Sequence, residues 1–177
     1  MTNLFFDIPL RTEENVFHAV IEIPKNSRVK YEYNEKLGVI EIDRVFRTPV
    51  AYPQNYGFFP RTWNQFDKDP MDVIVISSET FIPGALVQVR LVGMIEMDDS
   101  GELDHKILAI PVGHSDYTHI KDIQDLDSEI TENLIWFLSH YKDREEGKEV
   151  KILGLKDAKT ALQFIDDCEA EFEKKHS

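Results

Sequence analysis

Apolar positions in the first two thirds of the chain fall in short, branched runs, whereas those in the last third recur at helical spacing. Val16 to Ile23 alternates loosely, Val29 to Tyr33 and Val39 to Val45 flank the turn Asn34-Glu35-Lys36-Leu37-Gly38, and Val73 to Ile76, Leu86 to Met97 and Ile107 to Val112 are rich in Val, Ile and Leu. Runs of this composition predict strands. Pro83-Gly84 precedes one of them and Asp98-Asp99-Ser100-Gly101 follows it, so the connections are short and a mostly antiparallel barrel or strongly curved sheet is expected. Leu126, Ile130, Leu134, Phe137, Leu138 and Tyr141 then follow the candidate caps Asp125 and Asp127, and Ala158, Ala161, Leu162, Ile165 and Phe172 follow Asp157. Both sets predict amphipathic helices lying on the sheet, with Val150 to Leu153 as one more short strand between them. The fold class is α+β. No linker, repeat or low-complexity tract divides the chain, which reads as one domain over residues 1–177.

Charge changes the picture more than length does. Acidic residues number 33 against 20 basic ones, a net charge of −13 that argues against nucleic acid or an anionic membrane as partner. Cys168 is the single cysteine, so no intrachain disulfide forms, and its apolar neighbours predict burial. No apolar run is long enough to span a bilayer, and Met1 to Arg11 has no basic leader; a soluble, cytoplasmic protein is expected.

The candidate chemistry concentrates in Asp67-Lys68-Asp69-Pro70-Met71-Asp72, which runs straight into Val73-Ile74-Val75-Ile76. Proline disfavours helical backbone in the preceding residue, so Asp69 is expected to be extended, with Asp67 and Asp69 on one side, Lys68 turned outward and Asp72 at the mouth of a strand. Three anions at this spacing call for a cation, and oxygen-only ligands favour a hard divalent metal such as magnesium. A solvated acidic turn before a strand is the plainer alternative.

The hexapeptide resembles the signature of the soluble family I inorganic pyrophosphatases of bacterial type. Val20-Ile21-Glu22-Ile23-Pro24, Lys30-Tyr31-Glu32, Asp43-Arg44, Tyr52-Pro53-Gln54-Asn55-Tyr56-Gly57, Asp99 with Asp104 and Lys106, and His140-Tyr141-Lys142-Asp143 are similar to that family's other blocks, in its order and near its spacing. The resemblance implies a small, strongly twisted five-stranded antiparallel β-barrel, OB-like, flanked by two main helices. It also implies magnesium-dependent hydrolysis of inorganic diphosphate to two phosphates by direct attack of metal-bound hydroxide, with several Mg2+ ions per active site. By the same resemblance Asp67, Asp72, Asp99 and Asp104 are metal ligands, with Asp72 between two ions and Glu22 and Glu32 adding ligands, and Asp69 is the general base. Lys30 and Tyr56 would hold the phosphoryl group under attack, Arg44, Tyr141 and Lys142 the leaving phosphate, and Lys106 both. Bacterial relatives suggest a homo-oligomer, a hexamer being favoured. Two positions depart from the family: Lys68 stands where Gly, Ser, Asp or Asn is usual, and Glu149 where an aromatic residue is common.

Alternatives remain at single residues. Asp69 could be a further ligand instead of the base, and Tyr52 could be either a core aromatic or a site hydroxyl. A non-catalytic barrel that binds divalent cations would need the carboxylates but has no use for Lys30, Arg44, Lys106, Tyr141 and Lys142. An oligonucleotide-binding barrel would need a basic, aromatic strand face that the chain lacks.

Overall fold

The computed structural model describes residues 2–176; Met1 and Ser177, the ends of the expected 1–177 domain, lie outside the described residues. In chain order the strands are β1 (Arg11–Glu13), β2 (Val16–Ile23), β3 (Val29–Asn34), β4 (Val39–Val45), β5 (Asn55–Phe58), β6 (Asp72–Val75), β7 (Leu86–Asp99), β8 (Glu102–Leu103) and β9 (Lys106–Pro111). Helix α1 (Ser128–His140), strand β10 (Val150–Asp157) and helix α2 (Ala158–His176) complete the order, with short 3-10 turns at Ser115–Tyr117 and Ile123–Asp125.

Five strands close a ring in the order β2-β5-β6-β9-β7, and β7 returns to pair with β2. The barrel expected from the resemblance is present. One seam differs from an all-antiparallel ring: β6 and β9 run parallel, Val73 beside Ile107 and Val75 beside Ala109. Hydrophobic pattern places a strand in a sheet but does not choose its partner, and the chain between β6 and β9 contains a whole strand, β7, which supplies the crossover a parallel pair needs. Strand β7 is long enough to serve four neighbours, pairing with β2 at its start and with β9, β10 and β8 further on. Its bend falls at the irregularity between Leu91 and Gly93. A side chain at Gly93 would approach the Lys156 carbonyl oxygen to 2.7 Å, so the bend requires glycine there.

Burial on both faces explains the unbroken apolar run in β6. Val73 and Val75 enter a core shared with Phe17, Met94 and the α2 residues Ala161, Ile165 and Cys168. Ile74 and Ile76 point the other way, into a core shared with Leu108, Ile110 and the α1 residues Leu134, Phe137 and Leu138. The helix starts follow from their caps: the Asp127 side chain accepts from the Glu129 N–H at 3.0 Å, and that of Asp157 accepts from Thr160 at 2.8 Å. Cys168 is buried as expected. Strand β10 runs four residues past the expected Leu153 and bulges between Ile152 and Gly154. Strands β3 and β4 form a separate two-stranded ribbon that stands beside the ring. No helix among the described residues is long and apolar enough to cross a membrane.

Candidate active site

One cleft of about 280 Å³ opens where the β3–β4 ribbon, the ends of β6, β7 and β9, and the C-terminus of α1 meet. Every site residue expected from the sequence lines it: Glu22, Lys30, Glu32, Arg44, Tyr56, Asp67, Asp69, Asp72, Asp99, Asp104, Lys106, Tyr141 and Lys142, with Tyr52 beneath. Nine carboxylates face four cationic side chains, since Glu35 and Glu102 also line the cleft. The chain's acidity is therefore focused where these elements converge.

The acidic loop reaches the cleft by a tight turn and not by the extended backbone expected. Asn64 and Asp69 form an antiparallel bridge, the Asn64 N–H donating to the Asp69 carbonyl at 2.9 Å and the Lys68 N–H to the Asn64 carbonyl at 2.9 Å. Lys68 closes the turn with a left-handed φ of 62°, the conformation in which Gly and Asn are most at ease. Its side chain is exposed and does not line the cleft, so it does point outward, but through turn geometry. Thr62 anchors the turn from below: its hydroxyl donates to the Phe59 carbonyl and accepts the Met71 N–H. The Trp63 N–H ties the turn to α2 through the Cys168 carbonyl at 2.9 Å.

Asp67, Asp72 and Asp104 bring one oxygen each within 4.8 Å of one another. Lys106, buried at 3 % exposure, bridges Asp72 and Asp104 with its ammonium. Even so, positive charge falls short of negative. Desolvation, then the charges of Asp72 and Asp104, push Asp67 up to about 8. The walls of the cleft, then Asp72 and Glu32, push the solvent-facing Asp69 up to about 7. Burial raises Asp72 as well, against the opposing pull of Lys106. Burial also takes Glu22 to about 8, although its carboxylate accepts the Tyr33 N–H at 2.7 Å. Crowded oxygens held away from their ionised state fit a hard divalent cation, which relieves the repulsion that holds those protons in place. Asp99 lies to one side of the three: against desolvation, its pair with Lys142 keeps it below the usual carboxylate range.

The cationic side of the cleft is held by counter-ions, of which sequence reasoning did not single out Glu145. Lys30 pairs with Glu32 and lies 3.4 Å from Asp43; the Arg44 guanidinium lies 3.3 Å from Asp43 and 3.3 Å from Glu145. Glu145 arrives from the loop after α1, so only the closed fold reveals it. Tyr52, Phe46, Phe137 and Tyr141 form an aromatic base, with ring centroids 5.4 Å apart for Phe46–Tyr52 and 5.3 Å for Phe137–Tyr141. Tyr52 is buried in this aromatic base and at the same time lines the cleft. Burial raises the Tyr56 and Tyr141 phenols well above their ordinary value, so both stay protonated and able to donate at neutral pH.

Carboxylates gathered for divalent cations, set against ammonium, guanidinium and phenol donors for an anion, define an enzyme site for a polyanionic substrate. The comparisons with known proteins say which kind. The family model described as inorganic pyrophosphatase matches residues 19–173. The inorganic pyrophosphatase of Rickettsia conorii is 38 % identical over 168 residues, 93 % of this chain and 96 % of that protein. That of Sulfolobus acidocaldarius is 41 % identical over 159 residues, 89 % of this chain and 91 % of that one. Among solved structures, the inorganic pyrophosphatase from Thermus thermophilus superposes with a TM-score of 0.93 at 36 % identity, covering 97 % of this chain and 99 % of its own. The chain belongs to the inorganic pyrophosphatase family.

Proposed function

We propose that this chain hydrolyses inorganic diphosphate to two phosphates in the cleft described above, with magnesium, by direct attack of water and no covalent intermediate. The observation that carries the reading is the meeting of the Asp67, Asp72 and Asp104 oxygens with Lys30, Arg44, Lys106 and Lys142 in one cleft of a chain of this family. Asp67, Asp72, Asp99 and Asp104 hold the cations, with Glu22 and Glu32 at the margin. When bound, magnesium supplies positive charge to the phosphate oxygens and acidifies a coordinated water.

Asp69 takes the proton from the attacking water. It faces solvent beside the Asp67 and Asp72 carboxylates, within the same cleft, where an attacking water would enter. As the new P–O bond forms, the bridging P–O bond breaks and charge moves onto the departing oxygen. Lys30 and Tyr56 orient the phosphoryl group under attack, while Arg44, Tyr141 and Lys142 donate to the leaving phosphate and Lys106 serves both. Phosphoryl transfer needs positioning and positive charge more than covalent chemistry, and the paired nitrogens of Arg44 suit a phosphate face. The net charge of −13 supports neither a nucleic-acid nor an anionic-membrane partner. A cytoplasmic homo-oligomer, favoured as a hexamer, completes the proposal; Trp136, stacked on His140 and 54 % exposed, offers apolar surface for such contacts.

Phosphate release from diphosphate, measured with magnesium and with a chelator in its place, tests the reading. Metal-dependent release is expected. A folded protein that binds magnesium without releasing phosphate would be a cation-binding barrel instead.

A further inference from the structure

Asn64 is 1 % exposed and sits three residues before Asp67, outside every block used to recognise the family. Its side-chain oxygen accepts the Phe66 N–H at 3.2 Å, which fixes which way the amide faces. The amide nitrogen then points at Asp67 and donates to its Oδ2 at 2.9 Å. The other Asp67 oxygen, Oδ1, accepts the Asp69 N–H at 3.2 Å. Both Asp67 oxygens are thus held from the turn side by neutral donors, while the carboxylate faces Asp72 and Asp104.

We infer that Asn64 is a positioning residue for metal binding: its amide holds the Asp67 carboxylate aimed at the position of the cation. Two properties make an amide suited to this task. It fixes one Asp67 oxygen by a directional hydrogen bond of 2.9 Å. It also carries no charge, so unlike Lys106 it does not repel the incoming cation. Through its backbone bonds to Lys68 and Asp69, the same residue fixes the spacing between Asp67 and Asp69. The inference rests on the cation role proposed above for Asp67.

Asn64→Ser separates the two side-chain bonds. A serine hydroxyl can still accept the N–H two residues on, as in an ST turn, but it is too short to reach Asp67. Calorimetric magnesium titration of the full chain should show a dissociation constant raised about tenfold, the scale of one lost hydrogen bond to a charged group. The melting temperature in chelator should stay within about 3 °C of the parent, because the turn bond survives. In an Asp67→Asn background, adding Asn64→Ser should weaken magnesium binding by less than about twofold, since residues that act through one contact are not additive. Should Asn64→Ser fail to fold, Asn64→Thr, with the same hydroxyl, carries the same measurements. Magnesium affinity within twofold of the parent, or full additivity with Asp67→Asn, overturns the role of Asn64. A parent protein that binds no magnesium overturns the proposed function itself, and the parent titration tells the two failures apart.

Discussion

Lys106→Met is the perturbation that tests the electrostatics of the cleft most directly. The methionine keeps most of the buried stem and removes the ammonium that bridges Asp72 and Asp104. Two unit charges 4.8 Å apart, the outer limit of the oxygen separations here, repel by about 3 kcal/mol at an effective dielectric of ~20. Three such carboxylates cannot all stay ionised without a counter-charge, so the variant takes up protons instead. Removing one partner of a buried pair typically costs about 3–5 kcal/mol, and proton uptake holds the loss to about 3 kcal/mol. For a chain of this size that lowers the melting temperature by roughly 6–12 °C in chelator at pH 8. The sign with pH is fixed: groups whose folded pKa lies above the unfolded one lose stability as pH rises, so the gap to the parent should shrink at pH 5. Millimolar magnesium should also narrow it at pH 8, because a divalent ion relieves the repulsion in the variant and competes with the ammonium in the parent. Differential scanning calorimetry under the three conditions decides the matter. The same gap in all three would mean that Lys106 acts through the packing of its stem, and the electrostatic reasoning would fail.

Asp69→Asn should lower turnover at least about a hundredfold while calorimetry still shows magnesium binding; near-normal turnover at saturating magnesium would remove Asp69 as the base. Asp69 at about 7 and Asp67 and Glu22 at about 8 bind protons in the folded, metal-free state that they would not hold when unfolded. Metal-free stability should therefore fall between about pH 4 and pH 8, and magnesium affinity should climb over the upper part of that interval and level off above it; a flat affinity from pH 6 to pH 8 would contradict the shifts. Lys68→Gly should change the magnesium concentration for half-maximal rate by less than about threefold and stabilise the metal-free protein by up to about 1 kcal/mol, since glycine takes a φ of 62° without strain. A tenfold drop in that magnesium concentration would place the Lys68 charge against the metals.

Much of this architecture can be read from the chain. The apolar run after Asp72 announces a strand, and the structure buries it on both faces, Val73 and Ile74 entering different cores. Asp127 and Asp157 announce the helices they cap. Other features are beyond local pattern. Strand β5 (Asn55–Phe58) is not among the strands that the apolar runs predict; it forms because Tyr56 and Gly57 pair with β2 on one side and β6 on the other. Gly57 is needed there because a Cβ would fall 1.8 Å from the Val20 carbonyl oxygen. Proline at position 70 correctly implied non-helical backbone at Asp69, but the bridge to Asn64 and the left-handed Lys68 follow from the closed turn and not from any residue preference. Glu145 beside Arg44 depends on strand β4 and the loop after α1, far apart in the chain, so spacing carried no signal for it.

The ion pairs of the cleft connect its acidity to its selectivity. Lys106 is engaged with Asp72 and Asp104, Lys142 with Asp99, and Lys30 with Glu32 and Asp43. A polyanion entering the metal-free cleft would have to draw these ammonium groups from carboxylates that already surround them, and it would meet further carboxylates besides. The same carboxylates have one exchange that costs little: to accept a divalent cation in place of the ammonium. On the function proposed here, Asp72, Asp99 and Asp104 so engaged would leave Lys106 and Lys142 free to turn toward an anion, and the local field would change sign. The carboxylates that would hold metal thereby keep the lysines occupied until metal is present. A chain with a net charge of −13 can in this way reserve its few cleft cations for an anion that arrives together with metal.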